Sequence, residues 1–158
     1  MKRIILAIPR FFVQKRTIVV EIICYLFMFL FLYAALNKLI DYQKFHVELS
    51  KSILLAKIAE GIAWGIPLAE ILVAVLLFIP RFRLTGLYAS FCLMFAFTGY
   101  IIIVLNFSPH VPCSCGGILN NMGWTEHLIF NIGFTLLAIL GIFLYTDRKE
   151  PYGKYVMA

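Results

Sequence analysis

A membrane-embedded, all-α four-helix bundle is the fold class this sequence predicts, and three observations predict it. Hydrophobic residues make up 63% of the chain and charged residues 14%, with a mean hydropathy of +0.94, which excludes an ordinary soluble domain. The apolar residues gather into four runs, each close to the roughly 20 residues that cross a hydrocarbon core. None of the runs alternates with the two-residue period of a membrane strand, so they read as helices and not as a barrel.

Residues 1–16 form a basic N-terminal segment with Lys2, Arg3, Arg10, Lys15 and Arg16. Within it, Ile4 to Val13 is expected to lie on the inner membrane surface. The first span is predicted from Thr17 to Leu36. Its apolar run exceeds the about 7–15 residues of a signal-peptide core. Although Tyr33-Ala34-Ala35 faintly resembles a cleavage site, Asn37-Lys38-Leu39 continues the pattern, so an uncleaved anchor is expected.

Between Asp41 and Gly61, the residues Phe45, Leu49, Ile53, Leu54 and Ile58 recur near helical spacing. They predict a short amphipathic helix lying over the outer end of the bundle. The second span runs from Ile62 to Ile79, with a kink-prone Pro67, the third from Leu84 to Leu105 and the fourth from His127 to Tyr145. Residues 17–145 thus make one transmembrane domain, and residues 146–158 a short tail.

Four spans put both termini on one side. The segments on that side, Met1 to Arg16, Arg81 to Arg83 and Arg148 to Ala158, hold ten of the basic residues. The opposite side holds four, Lys38, Lys44, Lys51 and Lys57. By the positive-inside rule the termini are expected in the cytoplasm of a bacterial inner membrane. The net charge of +6 belongs to this bias and does not argue for nucleic acid as a partner.

The loop before the fourth span then faces the periplasm. It carries Cys113-Ser114-Cys115-Gly116-Gly117 and no Lys or Arg. Two thiols one residue apart close a tight ring when oxidised, and departure from preferred disulfide geometry makes a bond more reducible. The two glycines let the backbone turn and let a partner's cysteine approach. Redox exchange is therefore the favoured chemistry. A static loop staple and soft-metal binding by both thiolates with His110 stand as alternatives. Cys24 and Cys92, at similar depths inside two spans, read as small packing residues, or as a second thiol pair if their helices adjoin.

Polar residues inside the spans supply the remaining candidates. Glu70 lies about 12 Å below the outer end of the second span, where an ionisable group is costly and either functional or paired, with Lys38 or an Asn. His127, Asn131 and Thr135 recur every four residues and share a helix face. Glu126 in the first turn of that helix is expected to stabilise its N-terminus, and Trp64 and Trp124 to anchor at the interfaces. A His or Lys near the thiols would favour the reactive thiolate.

These residues resemble the MauE branch of the DoxX-like membrane proteins. The resemblance rests on Asn37-Lys38-Leu39 ending the first span, Pro67 with Glu70 in the second, and Cys113-Ser114-Cys115-Gly116-Gly117 followed by Trp124 to Asn131. It covers about Val19 to Tyr145. It implies a helper in periplasmic disulfide chemistry acting with a thioredoxin-like partner, as the methylamine-utilisation protein that names the family matures a disulfide-rich dehydrogenase subunit. Family members often carry Phe where this chain has Gly116, so methylamine metabolism itself is not carried over. The family supplies no agreed catalytic mechanism, so the candidate site is the one the residues themselves give, Cys113, Cys115, Glu70 and His127. A quinone near Glu70 and His127 is the cofactor expected by analogy with other four-helix disulfide-generating systems, although no quinone motif is visible. A scaffold subunit of a larger membrane complex and a thiolate metal handler are the rival functions.

Overall fold

The computed structural model describes residues 2–51, 55–107 and 123–146. They are helical almost throughout, without a strand among them. Helix α1 runs Lys2–Ile40, α2 Tyr42–Lys51, α3 Ala59–Phe78, α4 Arg83–Phe107 and α5 Trp124–Thr146. Single 3-10 turns, Ala56–Ile58 and Pro80–Phe82, lead into α3 and α4. Four stretches are long and apolar enough to cross a membrane: Arg16–Ile40, Ala56–Phe78, Pro80–Asn106 and Trp124–Thr146. At 1.5 Å per residue the shortest is about 34 Å long, enough for a hydrocarbon core of about 30 Å.

α3 and α5 each begin three residues before the predicted spans, and α1 differs from the sequence expectation at both of its ends. Residues 4–13 do not form a separate element but continue into α1, because Gln14-Lys15-Arg16-Thr17 contains neither Gly nor Pro to stop a helix. At the other end α1 extends past Leu36 to Ile40. Asn37 donates to the Tyr33 carbonyl at 2.8 Å, and the Asp41 amide closes a further turn on the Asn37 carbonyl at 3.0 Å.

The helices form a ring. α1 packs most extensively on α3 and α4 on α5, while α3–α4 and α1–α5 contacts close the circuit. α1 and α4 lie on a diagonal and scarcely touch. The centre is built from heptad-like stripes, Val20, Cys24, Phe27, Phe31 and Ala35 on α1, and Ala63, Pro67, Glu70, Ala74 and Leu77 on α3, all buried. Phe27, wholly buried, meets Phe134 edge-on at 5.5 Å between ring centroids and stacks on Phe31 at 5.9 Å.

Small residues set the closest approaches. A Cβ built on Gly86 would stand 2.9 Å from Leu77 Cδ2 and 3.0 Å from the Leu77 backbone nitrogen. One on Gly141 would meet Ile23 and Leu87 at 3.1 Å. Such residues let membrane helices approach where no hydrophobic force drives them together. The outside of the ring is apolar instead: Phe29, Leu68, Phe95 and Phe143 are each about two-thirds exposed, as a surface solvated by lipid tails requires.

Cys24 is buried on α1 and Cys92 exposed on α4, both as free thiols. Their helices occupy the diagonal, so the second thiol pair does not form. The amphipathic prediction for Asp41 to Gly61 is met over α2 only, whose Phe45 and Leu49 pack on Ala59 and Ala63 of α3, while Ile53 and Leu54 lie outside the described residues. Ile58 does not join that face. It sits at the N-cap of α3, outside the period of α2, and is exposed.

Candidate functional site

Ion pairs tie α1 to α4 across the diagonal and to the adjoining α3. At the first, Arg83 at the start of α4 donates to Glu21 Oε1 at 3.1 Å across the diagonal. Glu21 is 43% exposed, so water screens this pair. At the second, the Lys38 ammonium donates to Glu70 Oε1 of α3 at 2.6 Å. There the carboxylate is wholly buried and the lysine side chain only 11% exposed. The two pairs differ in kind.

Helical register explains why Lys38 points inward. It continues the α1 stripe one turn beyond Ala35, and Glu70 occupies a stripe position on α3. Leu, Phe and Ala fill the equivalent positions elsewhere, so both charges are held where apolar side chains would otherwise pack. Lys38 Nζ also lies 6.0 Å from the Phe45 ring centroid of α2 and 5.8 Å from that of Phe97 on α4. Its remaining protein partner is the Ala34 carbonyl at 3.5 Å, at the limit of a hydrogen bond.

The fifth helix brings His127. Its ring is partly buried beside Trp124, 6.4 Å between centroids. Asn131 is buried one turn on, but its amide donates to the His127 carbonyl at 2.9 Å, as Thr135 donates to the Asn131 carbonyl at 2.8 Å. The predicted polar face therefore exists, with its donors spent on their own helix. Glu126 accepts from the Gly123 amide at 2.9 Å, the N-terminal role expected of it.

Four buried side-chain atoms find no hydrogen-bond partner among the described residues: Glu70 Oε2, His127 Nδ1, Arg83 Nε and Glu48 Oε2, the last with Lys51 on its other oxygen at 3.3 Å. Leaving such an atom unsatisfied costs about 1–3 kcal/mol, and more for a charged group.

Helices α1 to α4 thus contribute to the surroundings of one ammonium group. Of the predicted site residues, Glu70 is brought to it, while His127 stands at the start of α5 with its Nδ1 buried. Cys113, Cys115 and His110 lie outside the described residues, in the connection from α4 to α5. Lys38 is the central residue that sequence reasoning held only as one partner for Glu70, and the signal for it was its place in the α1 stripe.

The fold and this centre define a class: a four-helix polytopic membrane protein with a buried, ion-paired carboxylate near one end of its bundle. Within that class the chain belongs to the MauE family, since the family model described as methylamine utilisation protein MauE matches residues 16–144. The match spans all four membrane helices and the connection that carries the Cys-x-Cys element. No curated protein and no solved structure matches the chain.

Proposed function

We propose that the chain is the inner-membrane component of a periplasmic thiol–disulfide exchange system, with Cys113 and Cys115 as its redox pair. A thioredoxin-like protein is the partner. One cysteine thiolate attacks the partner's disulfide, forming a mixed disulfide and releasing one partner thiolate. The second cysteine then attacks the mixed bond and releases the other, so two electrons have moved and one disulfide has replaced another.

The observation that carries this reading is the Lys38–Glu70 pair itself. A buried charge pair seldom stabilises a fold relative to apolar packing of the same volume, and ionisable groups within membrane spans mark functional sites by default. Its lysine stands two residues before the end of α1, and its carboxylate and the neighbouring Phe97 lie deeper, midway along α3 and α4. The ten-to-four distribution of basic residues supports a periplasmic side for that end.

Replacing Cys115 or Cys113 singly with Ser tests the proposal. In a bacterial membrane one of the variants should accumulate a reducible mixed disulfide with a periplasmic protein. Neither variant trapping such a species, together with full function of the Cys113→Ser/Cys115→Ser double variant, would overturn the exchange reading and favour a scaffold subunit.

A further inference from the structure

We infer that α2 is a lid that opens over the Lys38–Glu70 pair, hinged at Asp41; the inference goes beyond the exchange reading and does not depend on it. Phe45 of α2 is buried, and its ring centroid lies 6.0 Å from the Lys38 ammonium nitrogen. The same side chain packs with Leu49 on Ala59 and Ala63 of α3. A helix of ten residues, too short to cross a membrane, thus supplies part of the cover that keeps Lys38 from water.

Three features make this cover separable. Its apolar contacts form a cluster of their own, in which Phe45 and Leu49 meet only residues of α2, α3 and the turn leading into α3. The main core, built around Phe27 and Phe31, takes no member from α2 among the described residues, so α2 can leave without opening the bundle. Glu48, next to Leu49, is carried into the docked face as well. Its side chain is 9% exposed, and its Oε2 finds no hydrogen-bond partner among the described residues. A carboxylate taken from water without full compensation works against docking. The hinge, last, is short. Asp41 alone separates α1 from α2, bridged by hydrogen bonds from the Asp41 amide to the Asn37 carbonyl and from the Phe45 amide to the Asp41 carbonyl, both 3.0 Å.

The balance of these contacts sets the state of the pair. Phe45, Leu49 and the Tyr42 ring against Trp64, 5.1 Å between centroids, draw the lid shut, and Glu48 draws it open. Elements held by few buried apolar contacts are the ones that open locally while the rest of a protein stays folded. Opening takes Phe45 off Lys38 and admits water to the ammonium. Charges in water attract each other far less than in a desolvated site, so the lid governs how firmly Lys38 holds Glu70.

Opening can be read without any thiol exchange, in the Cys113→Ser/Cys115→Ser protein reconstituted in phosphatidylcholine nanodiscs. Ala63 is wholly buried beneath Phe45 and Leu49, so Ala63→Cys places a thiol under the lid. A membrane-impermeant maleimide then reports its exposure above the background from Cys24 and Cys92. Labelling slower than at the exposed Ser50→Cys, yet complete without denaturant, is expected. Glu48→Leu, which removes the buried charge, should slow it about tenfold, and Phe45→Ala should speed it about tenfold. Ala138→Cys, wholly buried in the main core, should stay unlabelled. Should Ala63→Cys not accumulate, Ala59→Cys replaces it. No labelling under the lid short of denaturation, a rate indifferent to either substitution, or labelling of Ala138→Cys in step with it would overturn the lid.

Discussion

Removing one member of the Lys38–Glu70 pair should harm the protein far more than removing both. Lys38→Met leaves the Glu70 carboxylate wholly buried with its ammonium partner gone, and Glu70→Gln leaves the ammonium facing an amide and two phenyl rings. Breaking a buried ion pair from one side costs about 3–5 kcal/mol, whereas replacing both charges by groups of similar volume is often neutral. Neutral interhelical hydrogen bonds in membrane proteins contribute far less, about 0.6 kcal/mol on average. The two scales are well separated, so a double-mutant cycle can tell them apart. Unfolding of the purified protein in mixed micelles of mild detergent and sodium dodecyl sulfate, followed by circular dichroism, supplies the four stabilities. Each single variant should lose about 3 kcal/mol or more, and Lys38→Met/Glu70→Gln should recover part of it, the buried amide still costing about 1–3 kcal/mol. Single losses near 0.6 kcal/mol that simply add would refute a charged, desolvated pair and leave an ordinary hydrogen bond in its place.

Four further outcomes are expected. Gly86→Ala should cost about 1–3 kcal/mol in the same assay, because the added methyl meets the Leu77 backbone as well as its side chain. Gly61→Ala and Gly65→Ala, where a Cβ meets nothing within 4 Å, should not lower stability, and an equal loss at all three positions would contradict the packing argument. Phe27→Ala, at a wholly buried ring between Phe31 and Phe134, should lose about 3–5 kcal/mol, and a loss under 1 would mean the bundle centre collapses around the cavity. Glu21→Gln breaks the more exposed ion pair and should cost no more than about 1 kcal/mol, a contrast with Glu70→Gln that stability measurements on both variants check directly. Titrated in thiol buffers and read by mass-tagging, the Cys113–Cys115 couple should be reducible within about −270 to −120 mV, the span of thioredoxin-like proteins. A value below about −300 mV would mark a structural bond.

Hydropathy made the four spans legible because lipid solvation asks for apolar side chains almost all the way around each helix. The same uniformity hid their ends and their neighbours. Asn37 and Lys38 looked like the polar end of the first span, yet one bonds its own helix and the other turns inward, so α1 continues to Ile40. Glu70 stood out as a cost that needed a reason. Its partner did not stand out, since choosing between Lys38 and an Asn requires knowing that α1 and α3 adjoin. Ring order also decided the fate of Cys24 and Cys92, whose similar depths meant nothing once their helices fell on a diagonal. The face shared by His127, Asn131 and Thr135 was visible from spacing alone. That two of its members spend their donors on the preceding carbonyls was not.

The position of the two ion pairs on α1 carries a consequence for how the bundle holds its shape. Glu21 and Lys38 are seventeen residues apart, about 25 Å along the helix, and they engage different partners, α4 at one end and α3 at the other. Van der Waals packing between α1 and α3 fixes their separation but only weakly fixes sliding, because an apolar stripe of Phe, Ala and Val repeats every turn. A single buried contact between two charged atoms does not repeat. A shift of α1 by one turn, about 5.4 Å, would strand both members of the Lys38–Glu70 pair in an apolar setting. The pair therefore specifies register as well as supplying polar groups to the centre. That double role separates two uses of the same residues: neutral replacement of both charges should keep the fold while loosening register and removing the site's chemistry. A bundle that keeps its fold but loses exchange activity in Lys38→Met/Glu70→Gln is the combination this argument requires.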